Sequence, residues 1–162
     1  MRRGTFSVLL AVVAIACGFN VSRATAQTPD RLLGTWVMDA NKSTFSGNAP
    51  NKRTMKFETV SDGIRHTTDT VTTAGLVGES YRLEYTFKID GKDYPADPAM
   101  PLSTVSFKRV DANTVERQGK YRDEIVETVK YVVSPDGKRL TVNQRGTLNG
   151  ADVSSQQIFT RQ

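Results

Sequence analysis

The chain has 162 residues, with 22 lysines and arginines against 17 aspartates and glutamates, one histidine and one cysteine. That length suits a single domain, and one histidine with one cysteine excludes the ordinary zinc constellations. The formal charge of +5 is no mark of nucleic-acid binding: Arg2, Arg3 and Arg23 supply three of the positive charges, the rest of the chain carries +2, and no basic stripe interleaved with aromatics accompanies it.

Residues 1–26 read as a secretory signal peptide. Arg2 and Arg3 form its charged start, Phe6 to Ala16 its apolar stretch, and Ala24-Thr25-Ala26 the small residues of a cleavage site after Ala26. The apolar stretch falls short of the roughly 20 residues that cross a bilayer, so no transmembrane segment is expected. A lipoprotein cleavage before Cys17 is the alternative, disfavoured because Ala14 stands where that signal usually has Leu. The processed chain, 27–162, is then a secreted or periplasmic domain without cysteine, held by its core rather than by disulfides.

Four turn dipeptides punctuate this region: Asp62-Gly63, Asp90-Gly91, Asp136-Gly137 and Asn149-Gly150. Such pairs supply the positive φ angles of tight hairpins. Strands are expected at Leu33 to Ala40, Lys52 to Ser61 and Ile64 to Thr73, after a Ser/Asn/Gly-rich loop at 41–51. Ser80 to Asp90 alternates most cleanly, with Tyr81, Leu83, Tyr85, Phe87 and Ile89 on one side and Arg82, Glu84, Thr86 and Lys88 on the other. Lys92 to Leu102 carries Pro95, Pro98 and Pro101 and reads as a loop with at most a short edge segment. Thr104 to Val110, Thr114 to Tyr121, Glu124 to Ser134, Lys138 to Gly146 and Val153 to Arg161 complete about nine antiparallel strands. Short connections throughout favour an up-and-down β-barrel of about 8–10 strands, which leaves no open edge; a β-sandwich is the rival.

Gly34-Thr35-Trp36, opening this strand series, resembles the calycin barrels, that is, the lipocalins and the intracellular fatty-acid-binding proteins. The chain is also similar to small secreted lipocalin-like proteins of bacteria with no assigned function. The resemblance implies that Trp36 sits at the closed end of the barrel with a basic residue of the last strand, Arg161, packed across it. An Arg plane over an indole gains cation–π energy and can tie the first strand to the last. The segment 41–51 is too short for the two helices of fatty-acid-binding proteins. The ending Phe159-Thr160-Arg161 lacks their Arg-x-Tyr carboxylate grip, and neither the late helix nor the disulfide of typical lipocalins is visible.

Candidate ligand-binding residues follow from the inward phase: His66, Tyr81, Tyr85, Phe87, Phe107 and Arg109. Tyr hydroxyls on an aromatic wall are polar handles for a ligand, although the same residues also suit a plain packed core. His66 is either a ligand contact or a structural histidine satisfied by a neighbouring Thr hydroxyl. Arg109 and Arg117, in phase with Phe107 and Val115, would face an acidic head group, but a bulge is expected to turn them out to water. Asp93 and Asp97 sit in the proline loop, at a mouth or simply in solvent. No nucleophile elbow, His-Glu-x-x-His, calcium loop or phosphate loop is present, so no metal, cofactor or catalytic residue is expected. The expectation is an exported barrel holding a small apolar or amphipathic ligand. The alternatives are a filled barrel acting as a structural or interaction module of the cell envelope, and an isomerase or cyclase using His66 and an inward Tyr.

Overall fold

The computed structural model describes residues 30–72, 79–148 and 150–162; the signal-peptide reading therefore lies outside the described residues. Among the described residues eleven antiparallel strands form one sheet: β1 (Gly34–Met38), β2 (Thr44–Phe45), β3 (Lys52–Val60), β4 (Gly63–Thr72), β5 (Glu79–Phe87), β6 (Asp93–Pro95), β7 (Thr104–Arg109), β8 (Thr114–Tyr121), β9 (Glu124–Val133), β10 (Arg139–Leu148) and β11 (Ala151–Arg161). The two strands beyond the expected count, β2 and β6, are two and three residues long, too short to show any periodicity. β2 is a strap on β11, inside what reads as a loop, and β6 is the short edge segment of the proline-rich stretch.

The strand order is β5-β4-β3-β1-β11-β10-β9-β8-β7-β6. Each hairpin therefore pairs with the next, and β1 with β11 joins the two halves. Turn chemistry does this locally: Gly63, Gly91, Gly137 and Gly150 all have positive φ, and the β8–β9 turn uses Arg122 and Asp123 at φ 49° and 68°. Gly63 is needed twice over, because a Cβ there would collide with the Phe87 carbonyl.

β5 and β6 end the sheet and do not pair with one another, so the barrel is nearly closed rather than sealed. Side chains and single backbone bonds bridge the seam. At one end Phe87 stacks on Phe107 with ring centroids 3.5 Å apart, and Gly91 N–H donates to the Phe107 carbonyl at 2.8 Å. Further along, the Glu84 amide of β5 donates to Asp97 Oδ2 at 2.7 Å. Asp97 Oδ1 also accepts from the Ala99 amide at 2.8 Å, so this carboxylate folds the proline loop and fastens it to β5. Leu102 of that loop reaches inward over Gly119, where any Cβ would meet it.

The core is layered. Trp36, Phe57, Phe87, Phe107, Leu140 and Phe159, each at most 1% exposed, fill one end of the barrel. Fully burying a large apolar side chain contributes roughly 1.5–3 kcal/mol, so this layer is the main source of stability. β5 runs out of that layer: Phe87 and Tyr85 are buried, Leu83 is half-buried and Tyr81 is 44% exposed. The even alternation of β5 therefore holds, but its apolar face is dry only at the closed end.

Candidate ligand-binding site

Above the aromatic layer the barrel is hollow. A cavity of about 1000 Å³ opens between the strands and the proline loop. Its apolar wall comes from Met55, Leu83, Met100, Leu102, Val129 and Val142. A belt of polar side chains almost circles the lumen, rising from the cavity floor at Tyr85 to the mouth side of Met55, Val129 and Val142.

The deepest part of the belt centres on Tyr85. Arg117 Nη1 donates to the Tyr85 oxygen at 3.1 Å. The Tyr85 hydroxyl is hydrogen-bonded to His66 Nδ1 at 2.8 Å and the Thr68 hydroxyl to His66 Nε2 at 2.9 Å, so both ring nitrogens have a partner. Each of these groups satisfies the next, as burial requires. Arg117 pairs with Glu127, and Gln144 Nε2 donates to the other Glu127 oxygen. The belt continues through Ser155, which donates to Gln144 at 3.2 Å, and Gln157, whose amide donates to Ser155 at 2.9 Å. Arg53 then donates to Gln157 Oε1 at 2.7 Å, to Thr70 Oγ1 at 3.1 Å and weakly to the Tyr81 hydroxyl at 3.5 Å. Arg117 Nε is the one buried side-chain polar atom without a hydrogen-bond partner among the described residues.

Burial works against the Arg117 charge, but the facing oxygens of Tyr131, Tyr85 and Glu127 outweigh it and raise its pKa above the ordinary arginine value. Burial raises Tyr85 and Tyr131, against the pull of Arg117. His66 is 4% exposed, stacks on Phe57 at 4.3 Å, and has its pKa pushed from 6.5 down to about 3 by burial, with the Arg117 and Arg53 charges adding to the effect. It is a neutral imidazole whose partners include the Thr hydroxyl.

A pH test follows. The folded pKa lies below the unfolded one, so His66 costs nothing above pH 6.5 and destabilises as pH falls, because the unfolded chain takes the proton first. The slope is about 1.4 kcal/mol per pH unit from one such proton. Between pH 6 and 5, above most carboxylate titration, urea unfolding of the wild type should show that slope and His66→Asn should lose most of it. Parallel slopes in the two proteins contradict a buried neutral His66.

Of the residues singled out in the sequence, His66, Tyr81 and Tyr85 line the cavity. Phe87 and Phe107 are inward but lie in the packed layer beneath it. Arg109 is a correction of depth: two residues beyond Phe107 along β7, it has passed the floor and pairs with Asp30 at the closed end. Arg117 is a correction of face. The bulge that was expected to rotate it outward occurs after it, between Gly119 and Lys120, so Arg117 stays inward at 6% exposure. Asp93 pairs with Lys120 at 2.8 Å, outside the cavity. Trp36 and Arg161 are directly paired across β1 and β11, with the guanidinium carbon 4.1 Å from the ring centre. Arg53, Gln157, Gln144 and Glu127 carry no sequence signal beyond strand phase; only closure of the barrel brings them together.

No protein-family model and no curated protein matches the chain. Among solved structures, zebrafish ileal bile acid-binding protein complexed with cholic acid aligns over 82% of this chain and 99% of its own, with a TM-score of 0.50 and 7% identity. The chain has the calycin fold. Two further calycin barrels align with it. One is As-p18, an extracellular fatty acid binding protein, over 83% of this chain and 98% of its own (TM-score 0.47, 18% identity). The other is the siderocalin Ex-FABP, over 82% and 71% (TM-score 0.42, 7% identity). At these identities a calycin barrel shares its architecture and not its ligand contacts.

Proposed function

We propose that this calycin barrel is exported and holds one small amphipathic molecule in the cavity above its aromatic layer. The cavity itself carries the reading. Its volume of about 1000 Å³ lies at the upper end of the range of small-molecule sites, roughly 300–1,000 Å³, and its apolar wall with convergent polar groups matches their chemistry. Export rests on the signal-peptide pattern of residues 1–26. The cholic acid held by the zebrafish neighbour is of the same broad kind. A filled barrel serving only as an envelope module fits less well, since the lumen above the aromatic layer holds a cavity of about 1000 Å³.

The uncharged fluorophore N-phenyl-1-naphthylamine should bind saturably, and Tm should rise with its concentration as expected for a ligand of the folded state alone. Leu83→Trp, which fills the lumen from a half-buried wall position, should reduce binding at least tenfold while leaving the far-ultraviolet circular dichroism unchanged. Equal binding by Leu83→Trp places the fluorophore elsewhere and counts against the cavity.

A further inference from the structure

The two arginines of the cavity differ in one respect that matters for a ligand. Arg117 is already neutralised by Glu127 and is bound by Tyr85. Arg53 has no carboxylate partner among the described residues. Its three hydrogen bonds go to neutral oxygens only, on Gln157, Thr70 and Tyr81. Those acceptors come from β11, β4 and β5, so the guanidinium is gripped from three strands and presented to the lumen in a fixed orientation. Its third contact, at 3.5 Å, is too long to be a strong hydrogen bond, which leaves donor capacity unused. Its charge is felt inside the cavity, because it helps to suppress protonation of His66.

We propose that Arg53 selects an amphipathic monoanion, holding the charged head on the upper wall beside Tyr81 and Gln157 while the apolar part lies against Met55, Val129 and Val142. This inference rests on the cavity being a ligand site. A half-buried cation with neutral partners is stabilised by an incoming anion more than a paired one is, since the anion displaces no existing ion pair. Arg117, with its carboxylate already in place, gains nothing comparable. The head therefore sits near the mouth, next to the half-open end of β5, and not on the deep Tyr85 group. A planar guanidinium with N–H donors to spare suits a carboxylate or a sulfonate equally, and either source satisfies the same site.

The test compares a charged and an uncharged ligand of one shape. Dodecanoate and dodecan-1-ol compete with N-phenyl-1-naphthylamine at neutral pH in wild type, Arg53→Gln and Gln157→Glu. The wild type should favour the acid over the alcohol by about tenfold or more, the scale of one hydrogen bond to a charged group. Arg53→Gln should bring that ratio near one by removing the cation. Gln157→Glu keeps Arg53 and nearly the same shape but sets a carboxylate where Oε1 now lies, 2.7 Å from Nη1, and should bring the ratio near one as well. The alcohol and the fluorophore should bind all three proteins within about threefold, the mark of an intact pocket. An acid-to-alcohol ratio that survives both substitutions, or a wild type without any preference, overturns the role of Arg53 while the cavity reading stands. Fluorophore binding that displacement by neither ligand reverses also overturns it. No saturable fluorophore binding in the wild type removes the cavity reading and this inference with it.

Discussion

Glu127→Gln is expected to destabilise the barrel by about 3 kcal/mol, at the low end for a broken buried ion pair because Glu127 keeps some access to the cavity. Arg117 is 93% buried as a side chain and Glu127 is its only carboxylate partner among the described residues. Once the charge of Glu127 is gone, a full positive charge stays in a low-dielectric site, balanced only by the Tyr85 and Tyr131 dipoles. Arg117→Met should cost a similar amount for the mirror-image reason and would also free the Tyr85 oxygen of one donor. The double substitution Arg117→Met with Glu127→Gln should lose clearly less than the two single losses combined, since it removes both desolvated charges together. Urea unfolding of the four proteins reads this coupling directly. Strict additivity would mean that the pair is solvated and contributes little.

Trp36→Ala should cost about 3–5 kcal/mol, the usual range for truncating a fully buried large aromatic. Three losses coincide there. The indole is fully buried in the closed-end layer, its Nε1 donates to the Leu32 carbonyl at 2.9 Å, and its face carries the Arg161 guanidinium. Arg161 in turn donates from Nε to the Gly137 carbonyl at 2.7 Å and from Nη2 to the Arg31 carbonyl at 2.6 Å. Its plane over the indole thus ties β1, β11 and the β9–β10 turn together at the closed end. Tm should fall by on the order of 10–20 °C for a domain of this size. Arg161→Lys keeps the charge but not the planar fork, and should lose only part of that stability. A Tm change of a few degrees in Trp36→Ala would show that the strands close the barrel without this clasp.

Much of the barrel is legible in the strand pattern because period-two alternation and Asp-Gly turns are local properties. The run from Tyr81 to Phe87 places Tyr85 and Phe87 inside, and Gly63, Gly91 and Gly137 each take the positive φ that their dipeptides imply. The lone histidine next to threonines on one face is legible as well, since residues 66 and 68 share a side of one strand. Depth is not. Phe107, Arg109 and Tyr85 all have inward phase, yet one is in the packed layer, one is beyond it and one is at the cavity floor. Where a residue stands along the barrel axis depends on strand tilt and on which strand lies opposite. Arg117 shows the same limit: its face depends on whether a bulge comes before or after it, and the bulge lies at Gly119 and Lys120, where Leu102 packs over a bare glycine.

Alternation, turn residues and the absence of any metal-ligating or nucleophilic motif are written in the order of the amino acids, and from them come the antiparallel barrel and the expectation of a binder rather than a catalyst. The lumen is another matter. Arg53, Gln157, Thr70 and Tyr81 lie on four different strands and up to 104 positions apart, so no local pattern links all four. Arg53, Thr70 and Tyr81 are cross-strand partners in the β3–β4–β5 hairpins, but Gln157 joins them only when β1 pairs with β11 and the sheet curls, and the same closure leaves the upper barrel open while aromatic rings fill the lower. Volume and charge balance inside a barrel are properties of the closed ring as a whole, which is why the tertiary structure alone decided them.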